Sequence, residues 1–126
     1  MLEIKNSDDF DAMMIELFTD VLNNNDPDAT NESVIFSDKS KEMIHTMAEF
    51  ARTSDFYIEL MSNNVYRTER DEYVELAKTK SASLLWMDMC NKLLCAPTSL
   101  HMGCVPILLI PAIDDKLRSE SNDNNA

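Results

Sequence analysis

The segment over residues 68–95, whose 28 residues include no glycine or proline, is the feature that most constrains the fold. Thr68 and Asp71 have the spacing of a capping box, with acidic residues at the positive end of the helix dipole. With successive residues about 100° apart, the first half is amphipathic and the second half, around Trp86, is apolar on nearly all sides. A helix that is apolar all round is a buried one, so the sequence predicts one long central helix over 68–95.

Low glycine content favours helices in the rest of the chain as well. The 126 residues include one glycine and four prolines, whereas sheet-rich folds with many tight turns use more glycine. The length fits one domain. The sequence therefore predicts an all-α fold, a small helical bundle of three to five helices around the 68–95 helix, in a single domain over residues 1–113.

The first predicted helix is acidic on its outer side. Ser7 is a good N-cap, and the helix is expected to run to about Leu22. Apolar residues recur at the spacing that defines one buried stripe of a helix. They are Phe10, Met13, Met14, Leu17, Phe18 and Val21. The acidic residues that lie off this stripe are Asp9, Asp11, Glu16 and Asp20.

The middle of the chain predicts a loop followed by one or two helices. Residues 23–33 combine turn-forming residues with Asp-Pro, which predicts a mobile loop. Residues 34–36 predict an apolar clip packed on the helices. Ser37 or Ser40 is expected to cap a helical segment over 38–62, in which residues 53–55 carry a stop-and-restart signal that favours a break. The predicted buried stripe is Met43, Ile44, Met47, Phe50 and Ala51.

The C-terminal part differs from the preceding segment in that it contains three prolines and the glycine. Pro97, Gly103, Pro106 and Pro111 argue against one continuous helix there. Residues 105–113 are seven apolar residues and two prolines, a run too short to cross a membrane. They predict an extended, proline-bounded segment that either packs on the chain's own helices or docks into a partner. Residues 114–126 predict a disordered polar tail.

The net charge of −12 is concentrated at one end, since residues 1–38 hold ten acidic residues and one basic residue. Phosphate binding requires a basic patch, so direct binding to nucleic acid is disfavoured. A partner protein with a basic surface fits this charge, and the simpler alternative is that the acids keep the chain soluble. The predicted partner-binding residues are Asp9, Asp11, Glu16, Asp20, Val105, Ile107, Leu108, Leu109 and Ile110.

A cysteine and histidine cluster is the one candidate for a metal or thiol site. Cys90 and Cys95 are five positions apart, which is about 140° on a helix, so they diverge. The weak metal candidates are therefore Cys95, His101 and Cys104. Cys104 with His101 could also form a nucleophile pair, but the sequence indicates no orienting group and no oxyanion site. Phosphate-binding loops need several glycines, so no cofactor is predicted.

Together these observations predict a non-enzymatic acidic helical protein that binds another protein, as an adaptor, inhibitor or assembly factor. One alternative is a nucleic-acid mimic that occludes a basic DNA- or RNA-binding protein, and a second is a small Cys/His metal or thiol protein. Homo-oligomer formation stays open. The N-terminal residues lack a secretory pattern and three cysteines give no disulfide framework, so an intracellular location, cytoplasmic or nuclear, is expected. The short, Asn-rich and Gly-poor chain would suit a viral accessory protein.

Overall fold

All regular structure in the described residues is helical, which confirms the predicted all-α class. The computed structural model describes residues 3–26, 34–95 and 104–124, and no strand occurs in these ranges. Residues 27–33 of the predicted mobile loop lie outside them. Six helices occur in the described ranges, more than the three to five predicted. They are α1 (Ser7–Asn23), α2 (Asp38–Thr53), α3 (Asp55–Met61), α4 (Asn64–Ala77), α5 (Ala82–Cys95) and α6 (Cys104–Asn124).

Helix α1 buries the predicted stripe. Its N-cap is Asn6 rather than Ser7, because the Asn6 side chain accepts a hydrogen bond from the Asp9 backbone N–H at 2.9 Å. Phe18 is partly buried against the core. The fully buried members of the stripe are Phe10, Met13, Met14, Leu17 and Val21. The periodicity of the sequence is therefore sufficient to orient this helix.

The break between α2 and α3 is also confirmed. Ser54 is extended, its backbone N–H donates to the Phe50 carbonyl at 2.9 Å, and its side chain accepts from the Tyr57 N–H at 3.1 Å. One serine thus ends α2 and caps α3. Ser37 is the N-cap of α2. The buried residues of the predicted α2 stripe are Met43, Ile44, Met47 and Ala51, with Phe50 partly buried.

The prediction of one helix over 68–95 is wrong, because the chain turns at residues 78–81. Helix α4 begins before Thr68, with Asn63 as its N-cap, and it ends at Ala77. Ser81 then marks the start of α5, since its side chain accepts a hydrogen bond from the Leu84 N–H at 3.2 Å. The 68–95 segment therefore holds most of α4 and all of α5, separated by a polar turn.

A contact from the far end of the chain stabilises this turn. The first backbone N–H of α5, from Ala82, has no acceptor inside its own helix, and it donates to the Glu120 carboxylate at 2.9 Å. Lys80 in the turn also pairs with Asp88 at 2.7 Å. Because Glu120 belongs to α6, no local sequence pattern indicates this cap.

The prediction that residues 105–113 are extended is wrong as well, because they form the N-terminal half of α6. Pro106 lies in the first turn, where backbone N–H groups have no intrahelical acceptor, so it is tolerated. Pro111 lies inside the helix and cannot donate to the Ile107 carbonyl, which costs about 3 kcal/mol. Burial of each large aliphatic side chain contributes about 1.5–3 kcal/mol and outweighs that cost. These buried side chains are Ile107, Leu108, Leu109, Ile110 and Ile113.

Helix α6, rather than the 68–95 segment, is the most central element. It contacts α2, α4 and α5, and its contact with α2 is the most extensive in the described structure. Its N-terminal half is apolar on all sides, which is typical of a helix buried on all sides. The arrangement as a closed bundle stays a prediction. Among the helices of the described ranges, none has the length and apolar character that crossing a bilayer requires.

The prediction of a disordered tail is corrected for residues 114–124, which continue α6. Asp115 accepts from the Arg52 guanidinium at 2.8 Å, Glu120 caps α5, and Leu117 packs against the core. These contacts stabilise a polar helical segment that its composition alone would leave unordered. Residues 125–126 lie outside the described ranges.

Candidate functional site

The apolar half of the predicted partner surface lies inside the protein. The four residues 107–110 are each at most 4 % exposed and belong to the hydrophobic core. The side chain of Val105 lies outside the described residues. A partner therefore cannot contact Ile107, Leu108, Leu109 and Ile110 in the folded chain, and packing on the chain's own helices replaces the docking alternative.

Asp9 belongs to the cap of α1 rather than to a free acidic face. Its carboxylate accepts a hydrogen bond from the Lys5 backbone N–H at 3.0 Å, while its own backbone N–H donates to Asn6. This reciprocal pair stabilises the N-terminus of the helix. Because the carboxylate is already engaged, Asp9 is a poor candidate for binding a partner.

Asp20 joins the end of α1 to the start of α2. Its carboxylate accepts hydrogen bonds from the Ser37 and Ser40 hydroxyl groups, and Ser37 also caps α2. These hydrogen bonds, that of Ser37 first, hold the pKa of the Asp20 carboxyl below its ordinary value of 3.8. The predicted partner-binding role of Asp20 is therefore replaced by a structural one.

The lowered pKa of Asp20 gives a pH-dependent contribution to stability. A carboxyl with a lowered folded-state pKa stabilises the fold at pH above its unfolded pKa, and the contribution is lost as the pH falls through the folded-state pKa. We expect Asp20→Asn to be less stable than wild type at neutral pH, with a difference that shrinks in acid below 3.8. Urea unfolding along a pH series measures this difference. Asp11→Asn is the matched control, and an Asp20→Asn difference that stays constant with pH would contradict the expectation.

Asp11 and Glu16 are the two predicted acids that stay accessible. Both are exposed, and neither has an ion-pair or hydrogen-bond partner within the described part of the chain. Asp11 lies about 40° to one side of Ile15 around the helix, and Glu16 lies about 100° to the other. The two carboxylates therefore flank an apolar side chain that points to solvent.

Three large aliphatic side chains are exposed, two on α1 and one held beside its C-terminal end. Ile15 is 69 % exposed, Leu22 is 74 % exposed, and Ile35 is 63 % exposed. Leu22 follows Ile15 by seven positions, which places it on the same side of α1 and about 10 Å further along. We call Ile15, Leu22 and Ile35 the apolar ridge.

The side-chain amide of Asn25 holds Ile35 beside the end of α1. Its Nδ2 donates to the Ile35 carbonyl at 2.9 Å, and its Oδ1 accepts from the Ile35 backbone N–H at 2.7 Å. The backbone N–H of Asn25 also donates to the Leu22 carbonyl at 3.5 Å. Both polar backbone groups of Ile35 are thereby bonded to one side chain, which fixes the backbone of Ile35 beside the end of α1.

The buried ring of Trp86 packs against the 34–36 segment and against α1. The rings of Phe18 in α1 and Phe36 lie 5.1 and 5.7 Å from the Trp86 ring, centroid to centroid. Val34 and Phe36 pack against the core, as predicted for residues 34–36, but the prediction is wrong for Ile35, which lies between them and points outwards. This alternation is that of an extended backbone, and it places Ile35 on the outer side.

Sequence reasoning found the acids of this surface but missed the apolar ridge. Ile15 and Leu22 fall on the polar side of an amphipathic helix, and that departure from the pattern was the available signal. Ile35 had no comparable signal, because its position depends on Asn25, ten positions earlier.

A polar cluster around Asp114 lies between α2 and α6. Asp114 is 3 % exposed, and its carboxylate lies 3.2 Å from the Arg52 guanidinium, 3.5 Å from that of Arg118 and 3.4 Å from Nδ1 of His45. Arg52 also donates to the Pro111 carbonyl at 3.3 Å. Burial of a carboxylate is costly unless cations pair with it, and the two guanidinium groups supply that pairing here.

A cleft of about 290 Å³ opens beside this cluster, lined by Lys41, His45, Asp114, Leu117 and Arg118. A histidine next to a carboxylate is an arrangement used in general-base catalysis. Here Nδ1 of His45 also contacts the Arg118 guanidinium, and no hydroxyl or thiol nucleophile is among the described lining residues. The cluster is therefore best explained as an ion-pair junction between α2 and α6.

The predicted cysteine and histidine site lies largely outside the described structure. His101 and the side chains of Cys95 and Cys104 are not among the described residues. Cys90 is half-buried, and burial raises the pKa of its thiol to about 11, so the thiol is protonated and unreactive at neutral pH. Within the described ranges, no group of three or more His, Cys, Asp and Glu side chains could hold a metal ion.

Comparisons with protein-family models, with curated proteins and with solved structures give no match for this chain. The geometry and charge of its own surface are therefore the basis for a functional proposal.

Proposed function

We propose that this chain is a non-enzymatic binding protein that docks a partner protein with a basic surface on the outer side of α1. The observation that carries the proposal is the apolar ridge flanked by the exposed carboxylates of Asp11 and Glu16. The ridge offers apolar area to a partner, and the acids determine the sign of the charge that the partner should carry. An adaptor, an inhibitor and an assembly factor would each use such a surface.

The apolar ridge differs from scattered exposed side chains, which are normal on protein surfaces. Ile15 and Leu22 lie in line, and the Asn25 amide is committed to holding Ile35 next to them. Full burial of each of these side chains would contribute about 1.5–3 kcal/mol, before the cost of association. The ridge could therefore supply most of the affinity, while the acids set the association rate and the specificity.

The charge around α1 supports a basic partner. Residues 3–26 hold seven acidic residues and one basic residue, Lys5. A field of one sign steers an oppositely charged protein towards the surface, and physiological salt screens it beyond about 8 Å. Added salt is therefore expected to lower the association rate constant of the partner strongly and to change its dissociation rate constant less.

Nucleic-acid mimicry is the less favoured alternative. A mimic presents a row of carboxylates in place of phosphates, whereas Asp9 and Asp20 are engaged in intramolecular hydrogen bonds. Ile15 also protrudes between the remaining acids, Asp11 and Glu16, and Leu22 protrudes further along the helix. A phosphate-binding surface would leave these aliphatic side chains without matching contacts, whereas a partner with an apolar pocket would bury them.

Capture of partners from native cells, with nuclease added, tests the proposal. The tagged baits are the wild type, the charge-reversed Asp11→Lys/Glu16→Lys variant and the polar Ile15→Ser/Leu22→Ser variant. We expect each variant to capture at least about tenfold less partner than the wild type. The first variant removes the charged contacts and the second removes the apolar contacts. Loss for the charge variant should be strongest at low salt.

Similar substitutions on α3 and α4 are the control. Glu59→Lys/Glu72→Lys reverses two exposed acids, and Ile58→Ser changes an exposed aliphatic residue of α3. These variants should retain the partner. A partner that binds Ile15→Ser/Leu22→Ser as well as wild type would overturn the proposal, and a nucleic-acid enzyme lost only from the charge variant would instead favour mimicry.

A further inference from the structure

The order of residues along α1 indicates what kind of element the partner brings. Five residues on the outer side are spaced alternately by three and four positions, so they lie within about 80° of one another around the helix. We call them the outer stripe, and they are Asp8, Asp11, Ile15, Phe18 and Leu22. The stripe is acidic at its N-terminal end and apolar towards its C-terminal end.

Four of the five residues of the outer stripe are exposed, and the fifth, Phe18, is partly buried against the core. Asp8 and Asp11 are exposed, Ile15 and Leu22 are the most exposed large aliphatic residues of α1, and Phe18 is partly exposed with its ring against Trp86. Helix α1 packs against α2, and its fully buried residues Phe10, Met13, Met14, Leu17 and Val21 lie on the other side of the helix. The stripe therefore presents two chemically distinct halves on one rigid support.

We infer that the docking element of the partner is an amphipathic α-helix that lies alongside α1, with Lys or Arg side chains opposite residues 8–11 and aliphatic side chains opposite residues 15–22. This inference rests on the proposed function and specifies its partner. Alternating three- and four-residue spacing is the seam along which two helices pack at about 20° over several turns. From Asp8 to Leu22 the seam is about 21 Å long, or about four turns.

A second copy of this chain does not fit the same seam. In a parallel pairing of two α1 helices, Asp8 and Asp11 would face the same carboxylates. In an antiparallel pairing, these carboxylates would face Leu22 and Phe18, which would desolvate charges without a partner. A basic, aliphatic helix from another protein avoids both conflicts.

Two synthetic helical peptides of identical composition test the inference on the full chain. One peptide carries a seam of two lysines followed by three leucines, and the control interleaves the same lysines and leucines so that neither orientation matches the stripe. We expect the first peptide to shift amide NMR signals of residues 8–22 and of Ile35, and the interleaved peptide to bind at least about tenfold more weakly, because its lysines would face aliphatic side chains. Ile15→Ser/Leu22→Ser should abolish the shifts, and Asp8→Lys/Asp11→Lys should weaken binding mainly at low salt.

Equal binding of the two peptides, or shifts confined to other helices, would overturn the inference. Failure of the peptides is distinguishable from failure of the proposed function by the capture experiment. If a captured partner depends on the apolar ridge but neither peptide binds, the surface docks a protein through a non-helical element. If no captured partner depends on the ridge either, both statements fail.

Discussion

Replacing Trp86 with alanine is expected to lower the free energy of unfolding by about 3–5 kcal/mol, the range for a large aromatic side chain removed from a core. Trp86 is 3 % exposed and lies against the rings of Phe18 and Phe36. Without the indole, α1 and the 34–36 segment lose their common support, and two aromatic contacts of about 0.5–1.5 kcal/mol each disappear. A domain of this size is stable by about 5–15 kcal/mol, so the loss is large. Urea unfolding followed by circular dichroism measures it.

Ile58→Ala is the control for Trp86→Ala. Ile58 is 61 % exposed, so its truncation should change stability by no more than about 0.5 kcal/mol. A Trp86→Ala variant that loses less than about 1 kcal/mol would show that the site collapses around the deletion, and it would contradict the role of Trp86 as the support of both segments.

Replacing Arg52 with methionine is the second large effect, with an expected loss of about 3 kcal/mol. The guanidinium of Arg52 pairs with the buried carboxylate of Asp114 at 3.2 Å, so its removal leaves a buried charge with weaker compensation. The loss should fall at the low end of the range for broken buried pairs, because Arg118 and His45 stay within 3.5 Å of Asp114. Chemical unfolding of the single variant gives the value.

A double variant separates charge from packing in this result. Asp114→Asn removes the buried charge, so Arg52→Met/Asp114→Asn should be more stable than Arg52→Met alone. Lys78→Met removes an exposed pair with Glu75 and should cost no more than about 0.5 kcal/mol. A double variant as unstable as the sum of its single variants would show that Arg52 acts through packing or through its bond to Pro111 instead.

Local patterns were enough to predict the elements whose signals are local. The buried stripe of α1 follows from periodicity, and Ser54 both ends α2 and caps α3 with bonds that span three or four residues. The division of the 68–95 segment was missed although Ser81, which accepts from the Leu84 N–H, gave a local cap signal; the second bond at this helix start, from Ala82 to Glu120, joins positions 38 apart and had no local signal. The α6 helix was missed because propensity rules count Pro111 as a helix breaker, while burial of the side chains around it outweighs that local cost.

The residues of the candidate site also divide into those with a local sequence signal and those that long-range hydrogen bonds place. Asp11 and Glu16 were predicted from helix geometry and are exposed. Asp9 was not recognised as a reciprocal cap, although its spacing from Asn6 gave a local signal. Asp20 and Ile35 could not be placed, because the hydrogen bonds that fix them come from residues ten to twenty positions away. Sequence charge thus indicated the proposed surface, and intramolecular hydrogen bonds, local for Asp9 and long-range for Asp20, separate its engaged acids from its exposed ones.

The central position of α6 has a consequence for how the chain is made. Arg52 in α2 and Pro111 in α6 are 59 positions apart, and the apolar half of α6 fills the space between helices that precede it. During synthesis, α2, α4 and α5 leave the ribosome before the helix that covers part of their apolar surface, since α6 is made last. Translation pauses in this interval, or a shortage of chaperones, would therefore expose aggregation-prone nascent chains.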